Sequence, residues 1–246
     1  MKTIGIIGGM SWESTVTYYK IINALVREKL GGLHSAKILL ASVDFDEIER
    51  LQRESKWRDA GRILGAYGQG LEAAGADFLL IGANTMHLCA GDVAAMVKIP
   101  ILHIADATSR IVRREGVRRV ALLGTRYTME QDFLKSRLKE GGLDIVVPAA
   151  EERAEINRII YEELCCGKVL ESSRSYFRSV IGRLCKDEGV EGVILGCTEI
   201  DLIVTQADSP VPVFDTTKRM RERLLSSRSN EVRGALRLGL TSRRFY

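Results

Sequence analysis

Cys197 stands in Gly196-Cys-Thr-Glu199, between an apolar run ending at Leu195 and a segment with helix-forming character. A thiol at that junction meets free N–H groups and the positive end of a helix, both of which favour the thiolate. Cys197 is therefore a candidate nucleophile or general base, with the Thr198 hydroxyl as a donor beside it. The other four cysteines (Cys89, Cys165, Cys166 and Cys185) have no comparable context and read as packing residues. A second loop, Gly82-Ala-Asn-Thr-Met-His87, ends in a histidine. His87 is either a ligand or general acid, or a helix-start histidine held by a backbone partner; His34 and His103 read as structural. Asn84 and Thr85, mirrored by Thr198 and Glu199, offer polar groups where a carboxylate substrate needs donors. The third loop, Gly8-Gly-Met-Ser-Trp-Glu-Ser14, fails the dinucleotide pattern GxGxxG and lacks the Gly-Lys-Ser/Thr of a P-loop. It is either a tight strand-to-helix turn or a small-anion site built from backbone N–H groups.

Other chemistries find little support. Five cysteines with no CxxC pair argue against both a zinc site and a disulfide framework. Three histidines, none in an HExxH pattern, predict no metal. The apolar runs are far too short to span a bilayer, and the N-terminal residues show no signal-peptide pattern, so no membrane partner and a cytoplasmic location are expected. The net charge of +4 is unevenly spread: Lys218 to Tyr246 holds nine Lys/Arg and two Asp/Glu, a local +7 that leaves the body at −3. The basic excess reads as a solvated last helix and tail, not as a nucleic-acid-binding face.

These loops need elements to position them, and the chain supplies the elements twice. Thr3–Gly8 resembles Arg119–Gly124, Ala76–Thr85 resembles Val190–Glu199, and Ile99–Leu102 resembles Val211–Phe214. The spacings are 116 (Gly8 to Gly124), 114 (Gly82 to Gly196) and 112 (Pro100 to Pro212), which suggests duplicated halves. Each half alternates strand and helix. Strands are expected at 3–8, 36–43, 77–81 and 101–104, then near 119–123, 144–147, 192–195 and 211–213. Trp12, Val16, Tyr19, Ile22 and Val26 recur at helical spacing, and residues 57–74 form a helix with Ile63, Leu64, Tyr67 and Leu71 inward. Helices near 127–140, 152–165, 170–186 and 216–226 fill the second half. This is the βαβ pattern of an α/β protein with two similar open parallel-sheet (Rossmann-like) domains, or of one large doubly wound sheet. Ligands of such sheets bind beyond the carboxyl ends of the strands, where all three loops fall.

Five motifs carry a resemblance to a known family: Gly8–Ser14, Ala83–His87, His103-Ile-Ala-Asp106, Gly124–Met129 and Gly196–Glu199. They resemble the aspartate/glutamate racemases, most of all the L-aspartate/glutamate-specific amino-acid racemase branch, over residues 1 to about 217. The resemblance implies two α/β domains related by a pseudo-twofold axis, residues 1–108 with 210–246 and residues 109–209, with the site in the cleft between them. It implies a cofactor-independent racemase of acidic amino acids, with no metal and no pyridoxal phosphate, and a homodimer. One acid/base group would stand on each face of Cα. Carried over by position, Cys197 is one of the two, and the substrate contacts fall on Met10, Gln52, Asn84, Thr85, Thr198 and Glu199. The second position is Ala83, where relatives carry Cys or Thr, and alanine transfers no proton. Three readings follow: a position altered so that substrate is held, natural one-base chemistry, or a binder without turnover. Single-cysteine relatives that decarboxylate or isomerise dicarboxylates supply an alternative reaction. A lysine that many relatives carry near Cys165 is absent.

Overall fold

The structure is a computed structural model and describes residues 1–216. The expected last helix near 216–226 and the basic tail lie outside the described residues. Strands β1 (Ile4–Gly8), β2 (Ile38–Ser42) and β3 (Phe78–Ile81) form one parallel sheet in the order β2-β1-β3. Strands β4 (Arg119–Leu123), β5 (Asp144–Val146), β6 (Gly192–Leu195) and β7 (Val213–Asp215) form a second, in the order β5-β4-β6-β7. The duplication read from the sequence reappears bond for bond. Asp77 N–H donates to Thr3 O and Glu191 N–H to Arg119 O, both at 2.8 Å. Gly82 N–H reaches Ile7 O at 2.8 Å as Gly196 N–H reaches Leu123 O at 2.6 Å. Leu79 N–H donates to Pro100 O and Val193 N–H to Pro212 O, both at 2.9 Å.

That last correspondence revises two expectations. The segment 101–104 is no full strand: only Ile101 bridges to Leu79, and Ile104 already opens a helix. Its counterpart β7 pairs with β6, so Val213–Asp215 completes the second sheet and does not join the first domain as the 210–246 grouping expected.

Helices α1 (Trp12–Leu30), α2 (Phe45–Arg53), α3 (Trp57–Ala73), α4 (Ala90–Met96) and α5 (Ile104–Arg114) accompany the first sheet. Helices α6 (Arg126–Glu130), α7 (Asp132–Glu140), α8 (Ala150–Arg158) and α9 (Glu171–Glu188) accompany the second. α1 has the expected period but a different inward face. Tyr18, Ile22, Leu25 and Val26 are buried, whereas Trp12 is 65% and Tyr19 53% exposed. α3 differs similarly: Tyr67 is exposed, and Gly61, Gly65 and Gly68 form a small-residue face against α4. A Cβ at Gly65 would lie 2.2 Å from the Met96 sulfur, so the Met96 side chain packs into the space that glycine leaves. The expected 127–140 helix is interrupted at Gln131, whose backbone is extended.

The halves share a core. Ile6 and Leu80 of the first sheet, Val120, Leu122 and Ile194 of the second, Tyr18 and Ile22 of α1, Ile104 and Ile111 of α5, and Leu138 of α7 belong to one buried cluster. Separate clusters cover the remaining faces. No described helix is long and apolar enough to cross a membrane.

Candidate active site

The carboxyl ends of both sheets face a common cavity of about 50 Å³. The first half lines it with Met10, Ser11, Phe45, Gln52, Ala83, Asn84 and Thr85; the second with Thr125, Ile160, Tyr161, Cys165, Gly196, Cys197, Thr198 and Glu199. All eight site residues expected from the resemblance therefore line one cavity. Seven further residues join them. Ser11, Thr125 and Gly196 lie inside motifs already legible in the chain, while Phe45, Ile160, Tyr161 and Cys165 carry no sequence signal of their own.

Polar ties connect the halves around this cavity. Ser11 caps α1, its Oγ accepting from Ser14 N–H at 3.3 Å. Across the cavity, the Ser11 hydroxyl donates to Glu199 Oε1 at 2.9 Å, and Ser14 Oγ shares a 2.5 Å hydrogen bond with Thr198 Oγ1. Thr85 and Thr125 share a hydroxyl–hydroxyl bond of 3.1 Å. Asn84 Nδ2 donates to Thr216 Oγ1 at 2.8 Å, and that hydroxyl donates to Leu195 O at 3.0 Å.

Glu199 is the hub of the first tie. Besides Ser11, its Oε2 accepts from Thr198 Oγ1 at 2.7 Å and from the Cys197 thiol at 3.0 Å. This reverses the electrostatics expected at Cys197. Only a short 3₁₀ turn, Thr198–Leu202, follows the thiol, not a helix with a substantial dipole. Burial and then the neighbouring Glu199 carboxylate push the Cys197 thiol well above its ordinary range. The Glu199 backbone N–H pulls the other way but is the weakest influence. Cys197 thus rests as a thiol that donates, not as a thiolate.

His87 resolves to its structural alternative. Its Nδ1 donates to Ala83 O at 3.0 Å and its Nε2 accepts from Ile104 N–H at 3.3 Å, so both nitrogens are used by the neutral ring. Its ring meets that of His103 edge-on at 4.5 Å. His103 in turn caps α5 by accepting from Ala105 N–H at 3.2 Å. Burial lowers the His87 pKa to about 4. Gln52 is buried and donates to the Met86 sulfur at 2.9 Å.

The Ile160–Tyr161–Cys165 wall comes from a departure from α-helix. Where one continuous helix was expected over 152–165, α8 gives way to a π-helical turn at Ile159–Glu163 and a 3₁₀ turn at Leu164–Cys166. Such insertions re-aim the following side chains and recur at functional sites. Buried Glu163 anchors the turn, accepting from Arg158 Nη2 at 2.8 Å and Ser173 Oγ at 2.5 Å. Cys89, by contrast, packs in the core with its thiol against Trp57 O, and burial pushes it up to about 12. Among the described residues, no three His, Cys, Asp or Glu side chains gather to hold a metal ion.

Comparison with known proteins matches residues 7–220 to the model of the family described as Asp/Glu/hydantoin racemase. A solved protein of Yersinia pestis, described as a candidate Asp/Glu racemase, is 50% identical, with a TM-score of 0.84 over 90% of this chain and 96% of that one. An aspartate racemase homologue from Pyrococcus horikoshii OT3 is 40% identical, with a TM-score of 0.80 over 92% and 98%. The broad specificity amino-acid racemase RacX of Bacillus subtilis (strain 168) is 19% identical over 64% of this chain and 67% of its own.

Proposed function

The chain belongs to the Asp/Glu/hydantoin racemase family, and on that premise we propose that it is a cofactor-independent amino-acid racemase acting on aspartate or glutamate. The observation that carries the reading is the cavity itself: corresponding loops of two duplicated halves meet there, bringing a thiol from one and amide and hydroxyl donors from the other. Racemisation needs an α-proton removed on one face of Cα and returned on the other, while carboxylate donors stabilise the carbanion between the steps. Asn84 and Thr85 are the proposed carboxylate donors, with Met10 and Gln52 completing the wall, and Thr198 and Glu199 positioned for the α-ammonium group. Cys197 serves one face. For an enantiomer whose α-proton points at it, the thiol proton first passes from Sγ to Glu199 Oε2. The thiolate then takes the α-proton, and the reverse sequence returns it.

Ala83 occupies the position corresponding to Cys197 in the other half, and its methyl group can neither donate nor accept a proton. The chain is therefore proposed to work with one protein base. In deuterium oxide it should exchange the α-proton of one enantiomer faster than that of the other, with little net inversion. Ala83→Cys should raise racemisation by roughly 10²–10⁴-fold, the value of a well-placed acid/base group. Equal exchange of both enantiomers together with no gain from Ala83→Cys would defeat the two-face placement. Turnover of maleate or an arylmalonate in place of the amino acids would move the proposal to single-thiol isomerisation or decarboxylation.

A further inference from the structure

We propose that Tyr161 determines side-chain specificity, its phenol O–H donating to the second carboxylate of an acidic amino acid; the inference rests on the amino-acid reading above. The other oxygen and amide side chains around the cavity each have a protein partner. Ser11 and Thr198 bond Glu199, Thr85 bonds Thr125, Asn84 bonds Thr216, and Gln52 bonds Met86. The Tyr161 hydroxyl has no hydrogen bond to any described residue, although its side chain lines the cavity and is half-buried. A phenol in such a place normally finds a partner, and a ligand oxygen in the cavity would supply one.

The position is built rather than incidental. Tyr161 lies inside the π-helical turn, whose wider backbone departs from the side-chain spacing of a continuous α-helix. Arg158 and Ser173 fix the turn through Glu163. Phe45 and Ile160 line the same cavity and give it an apolar wall, and a hydrogen bond to an anion is stronger in a less polar setting. Burial and the nearby Cys197, Tyr127 and Cys165 raise the Tyr161 pKa, so the phenol stays protonated and remains a donor. With the α-carboxylate assigned to the Asn84–Thr85 loop, the second carboxylate is the group left for Tyr161.

Tyr161→Phe keeps the ring and removes only the donor. Its KM for α-proton exchange of aspartate or glutamate should rise about 10- to 100-fold, the worth of a hydrogen bond to a charged group. The kcat of exchange should stay near the parent value, and exchange of alanine, which lacks the second carboxylate, should be unchanged. Calorimetric titration with succinate gives a reading independent of turnover, and its affinity should fall by the same factor. Equal losses for alanine and aspartate, or an unchanged succinate affinity, would overturn the assignment. If the parent protein exchanges the α-proton of no amino acid, the proposed function fails while the succinate titration still decides the role of Tyr161.

Discussion

Glu199 accepts hydrogen bonds from a thiol and two hydroxyls at 2.7–3.0 Å, and one of those hydroxyls comes from the other half of the molecule. Its charge raises the pKa of Cys197, whose other titratable neighbours in the cavity wall are Cys165 and Tyr161. A step that needs the Cys197 thiolate should therefore accelerate as pH rises through the alkaline range. Glu199→Gln removes the negative charge and lowers the thiol pKa, so the alkaline rise in kcat/KM and in iodoacetamide alkylation of Cys197 should move to lower pH. An unmoved rise in both measurements would show that Glu199 does not control the thiol. The place of Cys197 was legible in the chain because Gly196-Cys-Thr-Glu199 follows an apolar strand. Its protonation state was not, since that depends on a carboxylate two residues away folding back onto the sulfur and on Ser11, far off in sequence.

Between residue and domain, the loop after β3 is tied to α5 through His87. Its folded pKa of about 4 lies below the ordinary value of 6.5. Between those limits the unfolded chain binds a proton that the fold refuses, so stability falls as pH drops from about 6.5 to about 4 and is constant for this group below that. The loss amounts to roughly 3 kcal/mol. His87→Gln should flatten this acid slope, so that urea-unfolding free energies of parent and variant converge as pH falls; a constant difference across the window would refute the neutral-histidine tie. The elements themselves were largely readable from periodicity, but their phase was not always so. α1 carries two neighbouring apolar stripes, and the spacing of Trp12, Val16 and Tyr19 is as helical as that of Tyr18, Ile22 and Leu25; only packing against both sheets decides which turns inward. The π-helical turn left no trace in the chain, because Ile156, Ile159, Ile160 and Leu164 continue an ordinary helical pattern through it. Cys165 therefore read as packing although it lines the cavity.

At the scale of the molecule, the repeat pointed to two matching halves, since two glycine-ended strands per half, spaced 116 and 114 residues apart, place their loops at equivalent edges; that these form two sheets and not one large one came from the structure. The shared cluster beneath both sheets and the hydrogen-bonded ties above them divide the labour of holding the halves together. The cavity lies where these ties bridge the two halves. A hinged opening, in which the apolar base stays closed while the Ser11–Glu199, Thr85–Thr125 and Asn84–Thr216 bonds exchange for water, is the proposed route for substrate and product. Such gating motions are slow beside proton transfer and frequently set kcat. Turnover by Ala83→Cys, once its chemistry is fast, should then feel the friction of the solvent. Its kcat should fall nearly in proportion to relative viscosity as sucrose is added, and a rate indifferent to viscosity would mean that the lips of the cleft never limit the cycle.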